Sequence, residues 1–182
     1  RLREPLLAAV LLIVLVAYPT YACIQHDSLL TRADTRTLAK KWVEENLPSG
    51  IKLVSQWFGP ELATLDEPAP ASYKSFDVIE LTPFDREPGA YDLQTLLDWK
   101  VEYVLVNSFN WSLRLNDPAE NAKRAGFYLD LEQSAELVAA FRPTARGDSV
   151  PFVWDQMYGP ATSLHALERP GPVIYVYRLL CP

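Results

Sequence analysis

Cysteine and histidine are nearly absent, with only Cys23, Cys181, His26 and His165 in 182 residues. Two thiols are too few for a disulfide scaffold or a Cys-based zinc site. The two imidazoles lie far apart without ligand spacing, so no metal and no other cofactor is expected. Free or buried thiols are a better reading than a Cys23–Cys181 bridge, because Cys23 sits at the end of an apolar segment. No lysine or arginine run occurs, and 23 acidic against 17 basic residues leave a net charge of −6. Nucleic-acid surfaces carry a basic stripe, so a nucleic-acid partner is not expected. Glycine is scarce as well, seven against fifteen prolines, which points to stiff, extended loops. Missing too are G-x-G-x-x-G, a Walker loop, a G-x-S-x-G elbow, H-E-x-x-H and D-x-D. No catalytic residue is assigned. The chain opens at Arg1 without a methionine and is expected to belong to something longer.

What is abundant is apolar. Such residues make up 49% of the chain against 22% charged, the balance of a folded protein and not of a linker. Twenty residues from Pro5 to Ile24 (PLLAAVLLIVLVAYPTYACI) carry no charge. As a helix they span roughly 30 Å, the thickness of a hydrocarbon core. Arg1 and Arg3 precede them, and Tyr18 and Tyr21 sit near the far end, where aromatic rings favour the interface. Pro19 is expected in the last turn, where it disturbs little. A secretory signal peptide competes with this reading, but the apolar core is longer than the usual stretch of about 7–15 residues. Thr20-Tyr21-Ala22 is also a poor cleavage site, and a lipid anchor at Cys23 fits still less well. The reading adopted is a membrane helix with its flanks over residues 1–27, partnered by the lipid bilayer. The positive-inside rule then puts residues after about 25 outside the cytoplasm of a cell membrane. That remainder has a net charge of −7.

Residues 28–182 read as one extracytoplasmic α/β domain. After a polar connector (Gln25–Ala33), Asp34 or Thr35 caps a helix to about Asn46, stopped by Leu47-Pro48-Ser49-Gly50. Strands are expected at Ile51–Gln56 and Phe76–Leu81, separated by a loop over Gly59–Ser75. A short helix, Tyr91–Lys100, leads into Tyr103–Asn107, a continuous apolar run typical of a buried strand. Asp117-Pro118 opens another helix, which Gly126 is expected to divide. Leu137–Phe141 and Val173–Leu179 complete the strands, with a Pro/Gly-punctuated connection over Pro143–Pro172 and a helical turn near Ser163–Leu167. The fold expected is one transmembrane helix followed by a roughly five-stranded mixed sheet flanked by helices.

Several short patterns read as ordinary surface. Asp130-Leu131-Glu132 lies on an expected helix, Asp85-Arg86-Glu87 in a loop, and Asn110-Trp111-Ser112 matches a glycosylation acceptor only by a short motif. One constellation rises above them. Ligands of open α/β sheets meet the loops at the carboxyl ends of the strands. Those loops carry Trp57, Phe58, Phe84, Asn107, Phe109, Asn110 and Trp111. Aromatic faces interleaved with amides suit a sugar, whose ring stacks while its hydroxyls take hydrogen bonds. Packing under long loops, or against a membrane domain, is the competing role for the same side chains.

Asp34-Thr35-Arg36-Thr37-Leu38-Ala39 with Trp42-Val43-Glu44-Glu45-Asn46, following an apolar helix, resembles the region after the last membrane span of bacterial GT-C glycosyltransferases. These are the polytopic enzymes related to protein O-mannosyltransferases and the aminoarabinose transferase of lipid A. Trp57-Phe58-Gly59-Pro60, Val101 to Phe109 (VEYVLVNSF) and Arg169 to Leu179 (RPGPVIYVYRL) fit the same pattern. The resemblance implies sugar transfer from a polyprenyl-phosphate donor, using an acidic residue in an early loop between membrane helices. Nothing in these 182 residues corresponds to that loop. The chain would then be a C-terminal accessory domain, partnered by an upstream membrane domain, a polyprenyl-phosphate sugar, and a glycan or lipid acceptor. The alternative is a single-pass extracytoplasmic ligand-binding or sensor domain without catalytic activity. A third reading, a secreted hydrolase, lacks any nucleophile–base or metal motif.

Overall fold

A computed structural model of the chain describes residues 3–66, 74–82, 84, 89, 91–113, 117–145, 150–160 and 162–180. Helix α1 runs Arg3–Leu30, well past the uncharged segment. Pro19 therefore lies inside the helix and not in its last turn, where it removes one backbone donor. The side chains from Pro5 to Tyr21 are all exposed. α1 is long and apolar enough to cross a membrane, and none of that stretch is covered by the rest of the protein. Burial begins only at its end. Leu29 is 2% exposed, so the last turn belongs to the folded domain and the expected polar connector is mostly helix.

The rest is an α/β fold, as the patterning predicts. Helix α2 (Thr35–Asn46) is capped by the Asp34 carboxylate, which accepts from the Arg36 amide. Strands β1 (Lys52–Gln56) and β2 (Asp77–Leu81), helix α3 (Leu93–Asp98) and strand β3 (Tyr103–Asn107) follow. A short helix α4 (Ser108–Ser112) then precedes α5 (Pro118–Ser134), which leads into strand β4 (Ala135–Phe141). Two 3-10 turns, Trp154–Met157 and Leu164–Ala166, interrupt the connection to the final strand β5 (Ile174–Leu179). Gly126 does not divide α5: the helix runs unbroken for seventeen residues, with Arg124 buried before the glycine and Phe127 and Leu131 after it. α4 was not expected. Its five residues show no periodicity, and it forms because the Asn107 side chain caps it by accepting from the Asn110 amide.

The sheet order is β2-β1-β3-β5-β4. β1 is parallel to β2 and β3, while β5 runs antiparallel between β3 and β4. Alternation sends Leu53, Leu105 and Val176 to the face covered by α2, with Val43 and Leu47. Val54, Val104, Val106 and Tyr177 face the other way, onto Leu96 of α3 and Phe127 and Leu131 of α5. The order 2-1-3 reverses direction between β1 and β3, so their carboxyl ends form a topological switch point. Ile174 at the start of β5 pairs with Asn107 and Phe141 at the ends of β3 and β4, and lies on that same edge.

The apolar helix joins the domain on this edge too. α2 returns to the start of β1 from its far end, so its N-terminus lies beside the strand ends. There the Thr35 amide donates to the Pro170 carbonyl and the Thr35 hydroxyl to that of Pro172, at 3.0 and 2.7 Å. The Arg32 guanidinium reaches the Glu168 carbonyl at 2.7 Å. Gly171 has a φ of +102°, and a Cβ on it would overlap the Thr35 hydroxyl and the Asp34 carboxylate.

Candidate functional site

The seven aromatic and amide residues at the strand ends fall into three groups. The first is a row of rings. Phe84 meets Trp57 at 5.9 Å, Trp57 meets Phe58 at 4.3 Å, and Phe58 meets Phe109 at 6.2 Å. The row continues through Phe152 to Trp154, at 5.9 and 6.1 Å. Consecutive residues of a strand point to opposite faces. Trp57 and Phe58 lie together because Phe58 takes a left-handed φ of +62°, which turns the chain sharply after β1. Three rings of the row are exposed: Phe84 at 60%, Trp154 at 56% and Trp57 at 39%.

The second group is a lock behind that row. The Asn107 and Asn110 side-chain amides both donate to the Trp57 carbonyl, the former at 2.8 Å. The Asn110 amide also donates to Asn107 Oδ1 at 3.1 Å. Gln56 Oε1 accepts from the Asn107 backbone amide, and Gln56 Nε2 donates to the Tyr128 hydroxyl at 2.9 Å. Asn107, Asn110 and Gln56 are all buried. The crevice between β1 and β3, where an open sheet usually receives its ligand, is therefore closed by side-chain amides. Buried at 1% exposure, Asn110 also offers no surface to a glycosylating enzyme.

Trp111 makes the third group on its own. It lies away from the row, stacked on Tyr175 at 5.5 Å and 18°, with Tyr128 edge-on at 6.2 Å. This stacked pair is a wall shared by two cavities. On one side is a cavity of about 260 Å³, roofed by the connection between β4 and β5. Ser108, Ser112, Arg142, Thr144 and Gln156 supply its polar side chains, and Phe109 and Phe152 from the ring row close its apolar side. The Arg142 guanidinium lies 5.4 Å from the Tyr175 ring centre and 3.4 Å from its hydroxyl. On the other side is an apolar groove of about 370 Å³ between α5 and the sheet, lined by Val106, Tyr128, Leu129 and Tyr177.

Titration in this region is set by burial. The Tyr128 phenol is pushed up to about 12 by burial, against the opposing effects of its Gln56 bond and of Arg124. Tyr177 is raised by burial first, then by the Glu132 charge and by Tyr175. At the α1–α2 junction, burial raises the Asp34 carboxyl, but hydrogen bonds and charge from Arg36 outweigh it and leave the pKa lowered. Among the described residues no three His, Cys, Asp or Glu side chains group as a metal site. Cys23 is a free, exposed thiol on α1, while Cys181 and Asp85-Arg86-Glu87 lie outside the described residues.

The sequence pointed to the aromatics of the parallel strand ends but not to Arg142, Thr144, Phe152, Gln156 or Tyr175. Four of these lie in or beside a stretch without periodicity, and Tyr175 reads as a strand residue. The one available signal was a pair of aromatics, Phe152 and Trp154, in a segment otherwise rich in Pro and Gly. No family model, curated protein or solved structure matches the chain.

Proposed function

We propose that this chain is the C-terminal part of an integral-membrane glycosyltransferase that uses a polyprenyl-phosphate sugar donor. In this reading α1 spans the cell membrane and the α/β domain lies outside the cytoplasm. The domain is accessory: it holds a glycan or lipid acceptor near a catalytic centre in the upstream membrane domain. One observation carries the reading. The polar, aromatic-walled cavity lies on the sheet edge at which the uncovered apolar helix joins the domain. A guanidinium, a threonine, an amide and aromatic faces are groups that bind and orient a hydroxylated ligand. The resemblance of the α2 region and of Arg169–Leu179 to GT-C enzymes supplies the reaction class.

The test is sugar transfer from polyprenyl-phosphate donors by membranes expressing the whole reading frame. Trp111→Ala, which removes the shared cavity wall, and Trp57→Ala are expected to lower turnover without abolishing it. Losing one stacking aromatic costs on the order of 1–3 kcal/mol, roughly 5- to 150-fold in rate. Unchanged turnover in both variants would reduce these aromatics to packing. A reading frame with no further apolar spans upstream of Arg1 would sink the enzyme reading. It would leave the single-pass ligand-binding domain, which the same cavity lining also suits.

A further inference from the structure

We infer that the exposed rings of the strand-end edge, Trp57, Phe84 and Trp154, sit in the headgroup layer of the bilayer that α1 crosses. This rests on α1 being a membrane span. The argument is one of length and rigidity. The uncharged segment ends at Ile24, and α1 continues without a break to Leu30. Six residues of helix rise about 9 Å. The headgroup layer on each side of a bilayer is roughly 5–8 Å thick. By Leu29 the helix is already buried in the domain, and Arg32 and Thr35 fasten the next turns to the Glu168–Pro172 segment. No flexible tether is left to hold the domain away from the lipid. The Glu168–Pro172 side of the strand-end edge is therefore held about one headgroup layer from the hydrocarbon, and the aromatic row lies along that same edge.

The chemistry of the row suits that depth. Indole rings are enriched at the membrane interface, and an exposed phenyl ring beside them adds apolar surface that inserts at the headgroup–acyl boundary. Phe58, Phe109 and Phe152 link the three exposed rings from behind, so the row presents a continuous apolar border and not scattered residues. The cavity shares Phe109 and Phe152 with this border. Its ligand then arrives from the membrane surface, as the polar head of a lipid-borne molecule.

Trp99 provides an internal reference. It is 40% exposed, against 39% for Trp57, but it precedes β3 and so lies at the opposite edge of the sheet. The experiment is radiolytic hydroxyl-radical footprinting of the unaltered chain in phosphatidylethanolamine–phosphatidylglycerol vesicles, read residue by residue by mass spectrometry. Seating in the headgroups is expected to make Trp57 and Trp154 oxidise severalfold more slowly than Trp99. Equal rates for Trp57 and Trp99, with Trp154 faster, would overturn the inference. Protection that appears only when the upstream membrane domain is present would overturn it as well, since a protein surface would then be the cover. Alkaline extraction of the same vesicles separates the two levels of the argument. A chain released by alkali removes the membrane span itself and this inference with it. A chain that is retained but shows equal rates removes only the docking.

Discussion

At the scale of single residues, the side chain that links the site to the core is Tyr128. Its hydroxyl accepts from Gln56, whose other side-chain atom holds the Asn107 amide, so one phenol ends a buried chain of amides. Tyr128→Phe leaves Gln56 Nε2 buried without its acceptor, and the expected loss is about 1–3 kcal/mol by urea unfolding in detergent. The pH dependence has a definite sign. The folded pKa is raised to about 12, so this phenol's contribution to stability is full below about pH 10 and fades as pH climbs from about 10 to about 12. The phenylalanine variant is expected to lose less stability than the parent across that alkaline window. An identical alkaline slope in the two proteins would show that Tyr128 does not carry it. Asp34 behaves in the opposite sense. With a lowered pKa it stabilises above about pH 4, and that contribution disappears as pH falls through its folded value.

At the scale of elements, α5 and the α1–α2 junction respond differently to the same change of glycine to alanine. Gly126 sits inside α5 with open space where a Cβ would go. Gly126→Ala is expected to stabilise by about 0.5–1 kcal/mol, because it lowers the backbone entropy lost on helix formation. A lower unfolding midpoint in urea would refute that account. Gly171→Ala is expected to destabilise, since its φ is left-handed and its Cβ would strike Thr35 and Asp34. β4 also shows how an element escapes its propensity. Ala135–Phe141 is mixed in composition, yet it pairs along its length with β5 and carries a register shift between Leu137 and Ala139.

At the scale of the whole molecule, the boundary between the exposed apolar helix and the domain lies inside α1. A division after residue 27 cuts the helix where it enters the domain. A soluble piece starting at Thr31 loses Leu29 from the core, whereas one starting at Gln25 keeps it. Residues 25–182 are expected to unfold cooperatively without lipid, and about 1.5–3 kcal/mol later than residues 31–182, the worth of one buried leucine. Equal stability of the two would mean that the last turn of α1 is not seated in the core. If the chain is the accessory part proposed above, the isolated 182 residues transfer no sugar from any polyprenyl-phosphate donor, because the positioning and charge stabilisation would come from the upstream membrane domain. Measurable transfer by this chain alone would falsify that division of labour.

The sequence by itself determined the elements whose signal is local. Tyr103–Asn107 and Ile174–Leu179 are short runs rich in β-branched and aromatic residues, typical of strands, Asp34 and Asp117 are caps, and Pro5–Ile24 is an uncharged apolar helix. Five strands with intervening helices already implied the α/β class. Tertiary structure alone decided what depends on residues far apart in the chain. The strand order brings β5 between β3 and β4, and so sets Tyr175 against Trp111, 64 positions earlier. Asn107 and Asn110 read as ligand groups from their place at a strand end, but their amides are held by the Trp57 carbonyl, which only folding brings near. The connection from Pro143 to Pro172 has no periodicity to read. It folds over the strand ends because Phe152 finds Phe109 and because Pro170 and Pro172 hold Thr35. Periodicity records which face of an element is buried, but it carries no information on which distant element covers that face. The cavity exists only where such distant elements meet.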